Sequence, residues 1–355
     1  MDAHLMLALA EGCGPGLVAA LLDPDADPRH VLAEPPRDLP PAALRRLRSP
    51  DLARRAADVR AAAKRFGLGV WTPDEGGYPS RLLPMPLRPL VLFALGGAGA
   101  VTATRRAVAV VGSRTPTPYG IAATRDFASA LAAAGVVIWS GLAYGIDAAA
   151  HEAALTAGTP TVAVVAGGLD EIQPAGHCGL AHRIVAAGGT VLSESPPGLR
   201  PQRGHFPRRN RILACAVEAV LVVEAGLRSG ALHTARHAVD AGVPVFAVPG
   251  PYTSARSRGC HDLVAEGAQI AVEPSTLLRA LSVEVALRRA DGAGLLASAD
   301  ELAVLTHLAG GPRPIDLVQR EAGLDPRRFL TTLLHLLEQR RVQRLPGDLL
   351  AATIG

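Results

Sequence analysis

Residues 107–120 read AVAVVGSRTPTPYG, a short apolar run that ends in Gly-Ser-Arg before a helix expected to begin near Tyr119. Helical stretches are expected at 119–134, 145–157, 179–187 and 230–241. Strands that alternate with helices at this spacing predict an α/β fold with a doubly wound, mostly parallel sheet. The runs lack polar alternation, which indicates strands covered on both faces. Similar apolar runs, each ending in Gly, Ser or an acid, occur at 136–141, 161–168, 190–195, 219–225 and 244–250.

The sequence on either side of this region has a different texture and predicts further domains. Residues 1–70 are rich in Leu, Ala and Arg at helical spacing, which indicates a small all-α domain of the SAM-like or helix-hairpin-helix-like type. The α/β domain is expected over 71–286, with a Pro- and Gly-rich extended lead-in up to residue 100. A linker is expected at 287–300. Three helical stretches and a strand–turn–strand at 301–355 predict a winged helix.

The N-terminal helical domain leaves its role open between two alternatives. GCGPG at 12–16 is expected to be a tight turn of a helical hairpin. Small modules of this kind bind DNA backbones or serve as protein contacts. The turn contains no basic residue, which favours the protein-contact role.

Composition narrows the class of protein and of ligand site. The 355 residues are 49% hydrophobic and 19% charged, which excludes a disordered chain. Thirty-six basic and 32 acidic residues give a net charge of +4, too small for a histone-like polycation. Any anion site must therefore be local.

Cysteine usage and the hydrophobic stretches predict a cytoplasmic protein without a membrane span. The four cysteines are scattered without a CxxC pair, which favours a reducing compartment. The first residues have no basic region of a signal peptide. Residues 127–146 are 20 uncharged residues, the length of a span, but serine and glycine interrupt them.

The loops after the predicted strands are the expected place for chemistry, because ligands bind at the carboxyl ends of parallel strands. Gly112, Ser113 and Arg114 follow the first strand and are suited to a phosphate, although an ordinary tight turn is the alternative. The fingerprint GxGxxG is absent, so no dinucleotide cofactor is expected.

Two catalytic or metal interpretations of these loops are weak. A Ser–His–Asp relay would use Ser140 or Ser113 with His151 and Asp147, but no GxSxG pattern supports it, and Asp147 fits the start of a helix. His177, Cys178 and His182 match no zinc spacing, so no metal is expected.

The basic stretch SESPPGLRPQRGHFPRRNRILA at 193–214 is the densest signal in the chain. Arginines that track phosphates around one stacking aromatic suit a single strand of nucleic acid. The alternative is a solvated basic loop whose phenylalanine lies in the core. The residues concerned are Arg200, Arg203, Phe206, Arg208, Arg209, Asn210 and Arg211.

Taken in order, these motifs resemble the DNA-processing protein A family (DprA, also called Smf). The resemblance covers about 105 to 272, and its most specific part is FPRRNR followed by a strand, Glu-Ala and SGAL. The matching strings are VGSRTPTPYG, SGLAYGIDAAAH, GGLD, SESPPG, FPRRNRILA, VVEAGLRSGALHTARHA, VFAVPG and SRGCHDLVAEGA.

This resemblance implies a non-enzymatic protein that binds single-stranded DNA, protects incoming strands in natural transformation and loads the RecA recombinase onto them. It also implies an extended Rossmann-like domain that forms a homodimer and holds DNA in a basic pocket. Carried over by position, the pocket comprises Gly112, Ser113, Arg114, Ser140, Gly141, Gly145, Arg203, Phe206, Arg209, Asn210 and Arg211.

The sequence departs from the family pattern at three places. Gln173-Pro174 stands where a Tyr-Pro pair is usual, and His261 replaces a common Asn. Arg203 stands where Lys is frequent, which keeps the charge but changes its geometry. None of these changes removes Phe206 or a cation from the expected pocket.

Two other functions compete with single-strand binding. A phosphoribohydrolase-like enzyme on a related fold needs a PGGxGT loop, and this chain has VVEAGLRSGAL instead. A duplex-DNA regulator would read the groove with residues 326–339. That stretch carries Arg327 and Arg328, with Arg340 just beyond it, but is otherwise Leu-rich and fits protein contact equally well.

Single-strand binding at the expected pocket predicts a salt dependence. If Arg114, Arg203, Arg209 and Arg211 each contact a phosphate, the slope of log affinity against log salt concentration is expected to be about −0.7 × 4 ≈ −2.8.

Overall fold

A computed structural model describes the structure of most residues of the chain. They divide into two compact units, which are treated separately. The GCGPG turn and most of the expected linker lie outside the described residues. These are 3–10, 27–35, 39, 41–85, 88–101, 106–282, 299–308, 311–338, 341–345 and 347–352.

The first unit contains a nine-stranded sheet with helices on both faces. Its helices are α1 (Ala3–Ala10), α2 (Pro28–Ala33), α3 (Pro41–Leu47), α4 (Leu52–Arg65), α5 (Pro118–Ala133), α6 (Ile146–Thr156), α7 (Cys178–Ala186), α8 (His205–Cys215), α9 (Ala231–Asp240), α10 (Arg258–Ala265) and α11 (Pro274–Ala280). Its strands are β1 (Gly69–Trp71), β2 (Leu92–Gly96), β3 (Ala107–Val111), β4 (Val137–Ser140), β5 (Thr161–Val165), β6 (Thr190–Ser193), β7 (Ala219–Val222), β8 (Val245–Ala247) and β9 (Gln269–Ile270).

The strand order is β1-β2-β6-β5-β4-β3-β7-β8-β9, and the seven strands from β6 to β9 are parallel. The chain runs outward from β3 to β6 on one side, then returns to place β7 on the other side of β3. This reversal is the topological switch point of a doubly wound sheet, so the predicted Rossmann-like α/β fold is confirmed.

Burial explains why the central strands are continuously apolar. All five residues of β3, AVAVV, are buried, and the same holds for the five of β5. One face of the sheet packs Trp139 against Ile212 and Leu213 of α8. The other packs Ile138 against Phe127 of α5 and Ile146 of α6. A strand between two apolar layers has no solvent side on which to place polar residues.

The expected lead-in contributes two further strands. β1 and β2 pair antiparallel with each other, and β2 pairs antiparallel with β6, which extends the sheet by two strands at one edge. The position expected to separate the helical domain from the α/β domain, residue 70, lies inside β1. Leu5 of α1 and Leu52 of α4 belong to one buried cluster with Phe93 of β2. The N-terminal helices therefore share a hydrophobic core with the sheet.

The second unit is a winged helix, as predicted. It contains α12 (Ala299–Leu308), β10 (Arg313–Pro314), α13 (Ile315–Glu321), α14 (Pro326–Glu338), β11 (Val342–Leu345) and β12 (Leu349–Ala352). The strands form a three-stranded antiparallel sheet in the order β10-β12-β11. Val304, Phe329, Leu336 and Leu350 are buried together as its core.

The apolar stretch 127–146 is divided between the end of α5, β4 and the loop before α6. Across the residues described, the structure has no helix with both the length and the apolar character that a membrane crossing requires.

Candidate nucleic-acid interface

Loops from three strands meet at the carboxyl edge of the sheet, beside the switch point between β3 and β7. The Ser113 amide donates a 2.7 Å hydrogen bond to the Glu224 carbonyl, which ties the loop after β3 to the end of β7. The Ile146 amide donates to the Ser113 carbonyl at 3.1 Å, which ties the same loop to the start of α6. The sequence-predicted Gly112–Arg114 loop is therefore held from both sides.

A buried carboxylate fixes the far end of that loop. Glu224 is 3% exposed, and its side chain accepts hydrogen bonds from the amide and hydroxyl of Thr117. The Thr117 hydroxyl oxygen in turn accepts from the Gly120 amide at 3.1 Å and caps α5. The start of α5 and the loop before it thus form one hydrogen-bonded unit.

The loop after β4 packs against protein groups. Gly145 has φ +84°, and a Cβ there would lie 2.4 Å from the Ser113 carbonyl oxygen. A Cβ on Gly141 would lie 2.6 Å from both Arg209 Nη1 and Asp147 Oδ2. Glycine is needed at both positions because the Gly112–Arg114 loop occupies the space at Gly145, and the buried Arg209 and Asp147 side chains occupy it at Gly141. Ser140 is buried and donates to the Val110 carbonyl at 2.6 Å.

Arg114 and Phe206 form an open pair at the centre of this edge. The guanidinium carbon of Arg114 lies 5.2 Å from the centroid of the Phe206 ring, a cation–π distance. Arg114 is exposed and Phe206 is partly buried, outside the buried core clusters on either face of the sheet. The ring therefore stays accessible at the surface.

The C-terminal half of the basic segment forms helix α8, which begins at His205, whereas Arg200 and Arg203 lie in the loop before it. Arg209 in this helix is buried at 7% exposure. Its Nη1 donates to the Gly141 carbonyl at 2.7 Å and to the Val164 carbonyl, and its Nε donates to the Asn210 side chain at 3.1 Å. The guanidinium thus joins the ends of β4 and β5.

Asp147 is the acidic partner of this buried arginine. Its Oδ2 accepts hydrogen bonds from the amides of Gly141 and Ala143 at 3.0 and 3.4 Å. Burial lowers the pKa of Arg209 to about 10, an effect that the Asp147 charge opposes. Burial raises the pKa of the Asp147 carboxyl above its ordinary value, and the Arg209 charge counteracts that shift.

The next two residues of the basic segment also point into the protein. Asn210 donates from its side-chain nitrogen to the Gly230 carbonyl at 3.2 Å, which links α8 to the loop before α9. Arg211 is 8% exposed and donates to Glu194 Oε1 at 2.6 Å. Both therefore have internal partners.

The residues before this buried turn are exposed. Arg203 has no hydrogen bond or ion pair with any residue that the structure describes. The side chain of Arg208 keeps 53% of its surface in solvent, with Nη2 3.9 Å from Glu194 Oε1. Arg200 lies 3.5 Å from Glu171 Oε2 and is also exposed.

Two cavities flank the Arg114–Phe206 pair and share Arg114, Ala143, Phe206 and Arg209 as walls. The small cavity, of about 210 Å³, is lined on its other sides by Gly141, Tyr144, Val165–Gly167, Gln173, Pro174 and Pro201. The large cleft, of about 710 Å³, lies at the switch point and is also lined by Gly112, Ser113, Gly226–Ala231, His233, Thr234, Ala255 and Arg256.

Tyr144, Arg228 and Arg256 also line these cavities, although the sequence motifs did not assign them to the site. Tyr144 lies in the SGLAYGID motif, 51% exposed on the loop after β4. Arg228 lies within VVEAGLRSGAL, a motif that supports the family resemblance but does not by itself mark this arginine as a site residue. The sequence signal available for all three residues was that they follow predicted strands, at whose ends ligands bind. Nothing in the sequence, however, places the loop after β8, which carries Arg256, near Gly112.

The departures from the family pattern fall at two different places. Gln173 and Pro174 line the small cavity, and the Gln173 amide nitrogen donates to Glu171 at 3.1 Å. His261 lies outside both cavities, with Nε2 3.1 Å from the Gly250 carbonyl oxygen.

The residues considered for a catalytic relay have separate partners. Ser140 bonds Val110, Asp147 bonds the loop amides, and His151 Nδ1 lies 2.8 Å from the Thr161 hydroxyl. His177 Nδ1 bonds the Leu142 carbonyl at 2.7 Å, and Cys178 lies 3.9 Å from His182. Among the described residues, no three or more histidine, cysteine, aspartate or glutamate side chains cluster so that they could hold a metal ion.

The winged helix presents a mixed surface on α14. Arg328 donates two hydrogen bonds to Asp300, at 2.7 and 3.1 Å, so its charge is paired within the unit. Leu330 and Leu334 are 56% and 53% exposed on the same helix. Arg340 lies outside the described residues.

Comparison with known protein families and relatives gives consistent matches. The family model of DNA recombination-mediator protein A matches residues 69–282, and the DprA winged helix domain matches residues 289–348. The Smf protein of Escherichia coli (strain K12) is 38% identical over 283 residues, which are 77% of this chain and 75% of that protein. A protein of Mycobacterium tuberculosis (strain H37Rv) named DprA is 48% identical over 227 residues, 61% of this chain. Those residues are 58% of the mycobacterial protein, less than two thirds of its length.

Two solved structures are similar in fold and sequence. The X-ray structure of DNA processing protein A from Streptococcus pneumoniae gives a TM-score of 0.65 at 30% identity, over 79% of this chain and 97% of that one. A structure of DNA processing protein A from Helicobacter pylori, described for its single-stranded DNA binding mode, gives 0.54 at 29% identity, over 61% and 95%. The chain belongs to the DNA recombination-mediator protein A family, whose relatives carry the names DprA and Smf.

Proposed function

We propose that this chain binds single-stranded DNA at the carboxyl edge of its sheet, with a base stacked on Phe206 and phosphates held by Arg114 and Arg203. The observation that carries the proposal is the open Arg114–Phe206 pair beside a cavity of about 210 Å³. The single-strand binding described for the Helicobacter pylori relative supports the same ligand class.

The small cavity is suited to a base. Its walls combine the Phe206 ring, the Tyr144 ring and two prolines with the backbone of residues 165–167. Aromatic surfaces accept any base, because every base has a π-face, and stacking contributes about 1–3 kcal/mol per base. The site therefore favours a single strand, in which bases are free of pairing, with little preference for sequence.

The roles of the arginines follow from their exposure. Arg114 and Arg203 are exposed and offer forked donors to phosphate oxygens. Arg209, Asn210 and Arg211 already bond protein groups, and we assign them to the scaffold that holds the loops in place. Displacing Arg209 onto a phosphate would leave Asp147 as an unpaired buried charge, which is costly.

The finer part of the proposal concerns what binding achieves. We infer that the protein protects incoming single strands in natural transformation and loads RecA onto them, without catalysing a reaction. The separate hydrogen bonds of Ser140, Asp147 and His151 support a non-enzymatic role. A homodimer through the Rossmann-like domain is proposed as well. The exposed edge strand β9, with Ile270 at 48% and the adjacent Val272 at 67% exposure, supports that assembly.

Duplex binding by the winged helix receives less support. A recognition helix needs polar or cationic side chains that reach base edges. On α14, Arg327 is exposed, but Arg328 is paired with Asp300 and the apolar Leu330 and Leu334 take up much of the remaining exposed face.

Fluorescence anisotropy with a labelled oligothymidine tests the proposal, with unlabelled single- and double-stranded DNA as competitors across a salt series. Preferential competition by the single strand supports it. Equal or stronger competition by the duplex would instead assign DNA binding to the winged helix. An absence of binding at low salt would contradict both single-strand binding at the sheet and duplex binding by the winged helix.

Two further assays test the finer claims. RecA loading predicts faster RecA ATP hydrolysis on single strands that are already covered by single-strand-binding protein. Light scattering coupled to size exclusion predicts the mass of a dimer, about twice the 36.6 kDa chain mass. An unchanged ATPase rate contradicts RecA loading, and a monomer mass contradicts the dimer.

A further inference from the structure

The large cleft contains two arginines that the proposed function leaves unused. It lies at the switch point and opens between the Gly112–Arg114 loop, the loop after β7 and the loop after β8. Its volume, about 710 Å³, exceeds that of the small cavity, about 210 Å³, on the other side of the Arg114–Phe206 pair. The cleft adjoins Phe206, so it is open to the nucleotides that follow a base stacked on that ring.

Arg228 lies on the loop that joins β7 to α9. It is exposed, lines the cleft and makes no hydrogen bond or ion pair with the residues that the structure describes. It is flanked by Gly226 and Gly230, whose backbones also line the cleft. An unpaired guanidinium beside open backbone is suited to a phosphate oxygen.

Arg256 reaches the same cleft from the loop after β8. Its Nη1 donates to the Thr115 carbonyl and, at 3.0 Å, to the Thr115 hydroxyl. These bonds fix the arginine against the first loop. Within the described part of the chain, its other guanidinium nitrogens have no hydrogen-bond partner.

The positive charge of the arginines that line the cleft is not neutralised by acidic side chains at its surface. Among the described residues that line it, Asp147 carries the single carboxylate. That carboxylate is buried, bonds the amides of Gly141 and Ala143 and faces Arg209. Arg114, Arg228 and Arg256 therefore present positive charge to the cleft with no opposing surface acid.

We propose that Arg228 and Arg256 form a second phosphate subsite, which carries a single strand of DNA from the Arg114–Phe206 pair across the switch point into the large cleft. The inference rests on the proposed single-strand binding and extends it from one stacked nucleotide to a path of several phosphates. The small cavity receives a base, and the cleft receives the backbone that follows.

The site without the second phosphate subsite and the site with it are expected to differ in the salt dependence of DNA binding. Each phosphate contact to a single strand contributes about −0.7 to the slope of log affinity against log salt concentration. Arg114 and Arg203 alone give about −0.7 × 2 ≈ −1.4, whereas adding Arg228 and Arg256 gives about −0.7 × 4 ≈ −2.8.

The test measures that slope for the full-length chain and for Arg228→Ala and Arg256→Ala, by anisotropy with labelled oligothymidine. Each substitution is expected to make the slope less steep by about 0.7. Arg125→Ala is the matched control, because Arg125 is exposed on α5 outside the cleft and unpaired among the described residues. Its slope should equal that of the parent. Comparing each variant with the parent removes any contribution of the winged helix.

Arg256→Ala removes both the hydrogen bonds to Thr115 and the proposed phosphate contact, and Arg256→Lys distinguishes the two effects. Lysine keeps the charge, so the parent slope is expected to return. A parent that binds oligothymidine, but whose slope is unchanged in Arg228→Ala, overturns the subsite while leaving the proposed function intact. A parent that does not bind overturns the proposed function itself.

A free nucleotide is the other source of phosphate for this subsite. Competition by thymidine 5′-monophosphate at the same phosphate concentration as the oligothymidine distinguishes the two. Weak competition that Arg228→Ala leaves unaltered supports the strand. Strong competition that Arg228→Ala abolishes identifies a nucleotide site and overturns the strand path.

Discussion

Arg208 and Arg209 are neighbours in helix α8, yet Arg208 keeps 53% of its side chain in solvent while Arg209 is 7% exposed. The residues before this point, Arg203 and Phe206, face the surface. Those after it, Asn210 and Arg211, bond the protein interior. One basic segment therefore supplies both the proposed ligand contacts and the scaffold beneath them. The difference shows that charge alone does not identify a DNA-binding residue.

The largest effect is expected from Arg209→Met. The substitution removes the partner of buried Asp147 and the donors to the Gly141 and Val164 carbonyls, which should lower the free energy of unfolding by about 3–5 kcal/mol. Urea unfolding followed by tryptophan fluorescence measures this, since Trp71 and Trp139 both lie in the α/β unit.

Arg208→Ala is the control from the exposed side of the same helix. Its unfolding free energy should change by less than about 1 kcal/mol, because its ion pair is solvated. Equal effects of the two substitutions would break the distinction between the two parts of α8.

The next effect concerns Phe206→Ala. Loss of the stacking surface should weaken oligothymidine binding by about 1–3 kcal/mol without altering the salt slope, because no charge is removed. The same anisotropy series measures both quantities. Phe206 lies outside the buried clusters, so stability should fall far less than the about 3–5 kcal/mol typical of a buried aromatic. A fully unfolded variant would instead place Phe206 in the core.

Lowering the pH should reduce the free energy of unfolding through a buried histidine. His151 is fully buried on α6, and burial, with the charges of His177 and Arg209, lowers its pKa from 6.5 to about 3. Between these values the unfolded chain binds the proton and the folded chain does not. Stability from this residue is therefore complete above pH 6.5 and declines by about 1.4 kcal/mol per pH unit below it.

His151→Asn isolates that effect. The difference in unfolding free energy between the parent and this variant should shrink steadily from pH 6.5 towards pH 4, and should be constant above pH 7.5. A difference that does not depend on pH would show that His151 is protonated without penalty in the folded protein.

The smallest effect, and the finest test of the comparison, is Arg203→Ala. Removal of an exposed, unpaired cation should make the salt slope less steep by about 0.7 and leave the unfolding free energy almost unchanged. Arg209→Met, measured without urea under conditions in which the variant is still folded, should leave the salt slope of DNA binding at the parent value. The reverse pattern would assign the phosphate contact to the buried arginine.

Periodicity and strand-end residues were sufficient to predict the central sheet. Each of the six predicted apolar runs contains one of the strands β3 to β8, because a strand between two helical layers must be apolar on both faces. The loop residues Gly112, Ser113 and Arg114 were predicted at the site for the same reason: carboxyl ends of parallel strands share one edge.

Other features lay beyond such patterns. β1 and β2 are short strands within a Pro- and Gly-rich lead-in, and the pairing of β2 with β6 is a long-range contact without a local signal. Helix α8 begins just after a run of proline, glycine and arginine that resembles a loop. Arg228 and Arg256 come to Gly112 only through the strand order β3-β7-β8.

The sequence by itself determined the parallel sheet, the winged helix and the family, and it marked a locally basic, aromatic candidate site, because hydrophobic pattern and residue type are written along the chain. Only the tertiary structure decided which arginines face solvent. Arg209 is buried because the carbonyls of Gly141 and Val164 and the carboxylate of Asp147 converge on it from three separate segments. Such convergence depends on packing, since a guanidinium is stable inside a protein only where its donors and its charge are matched.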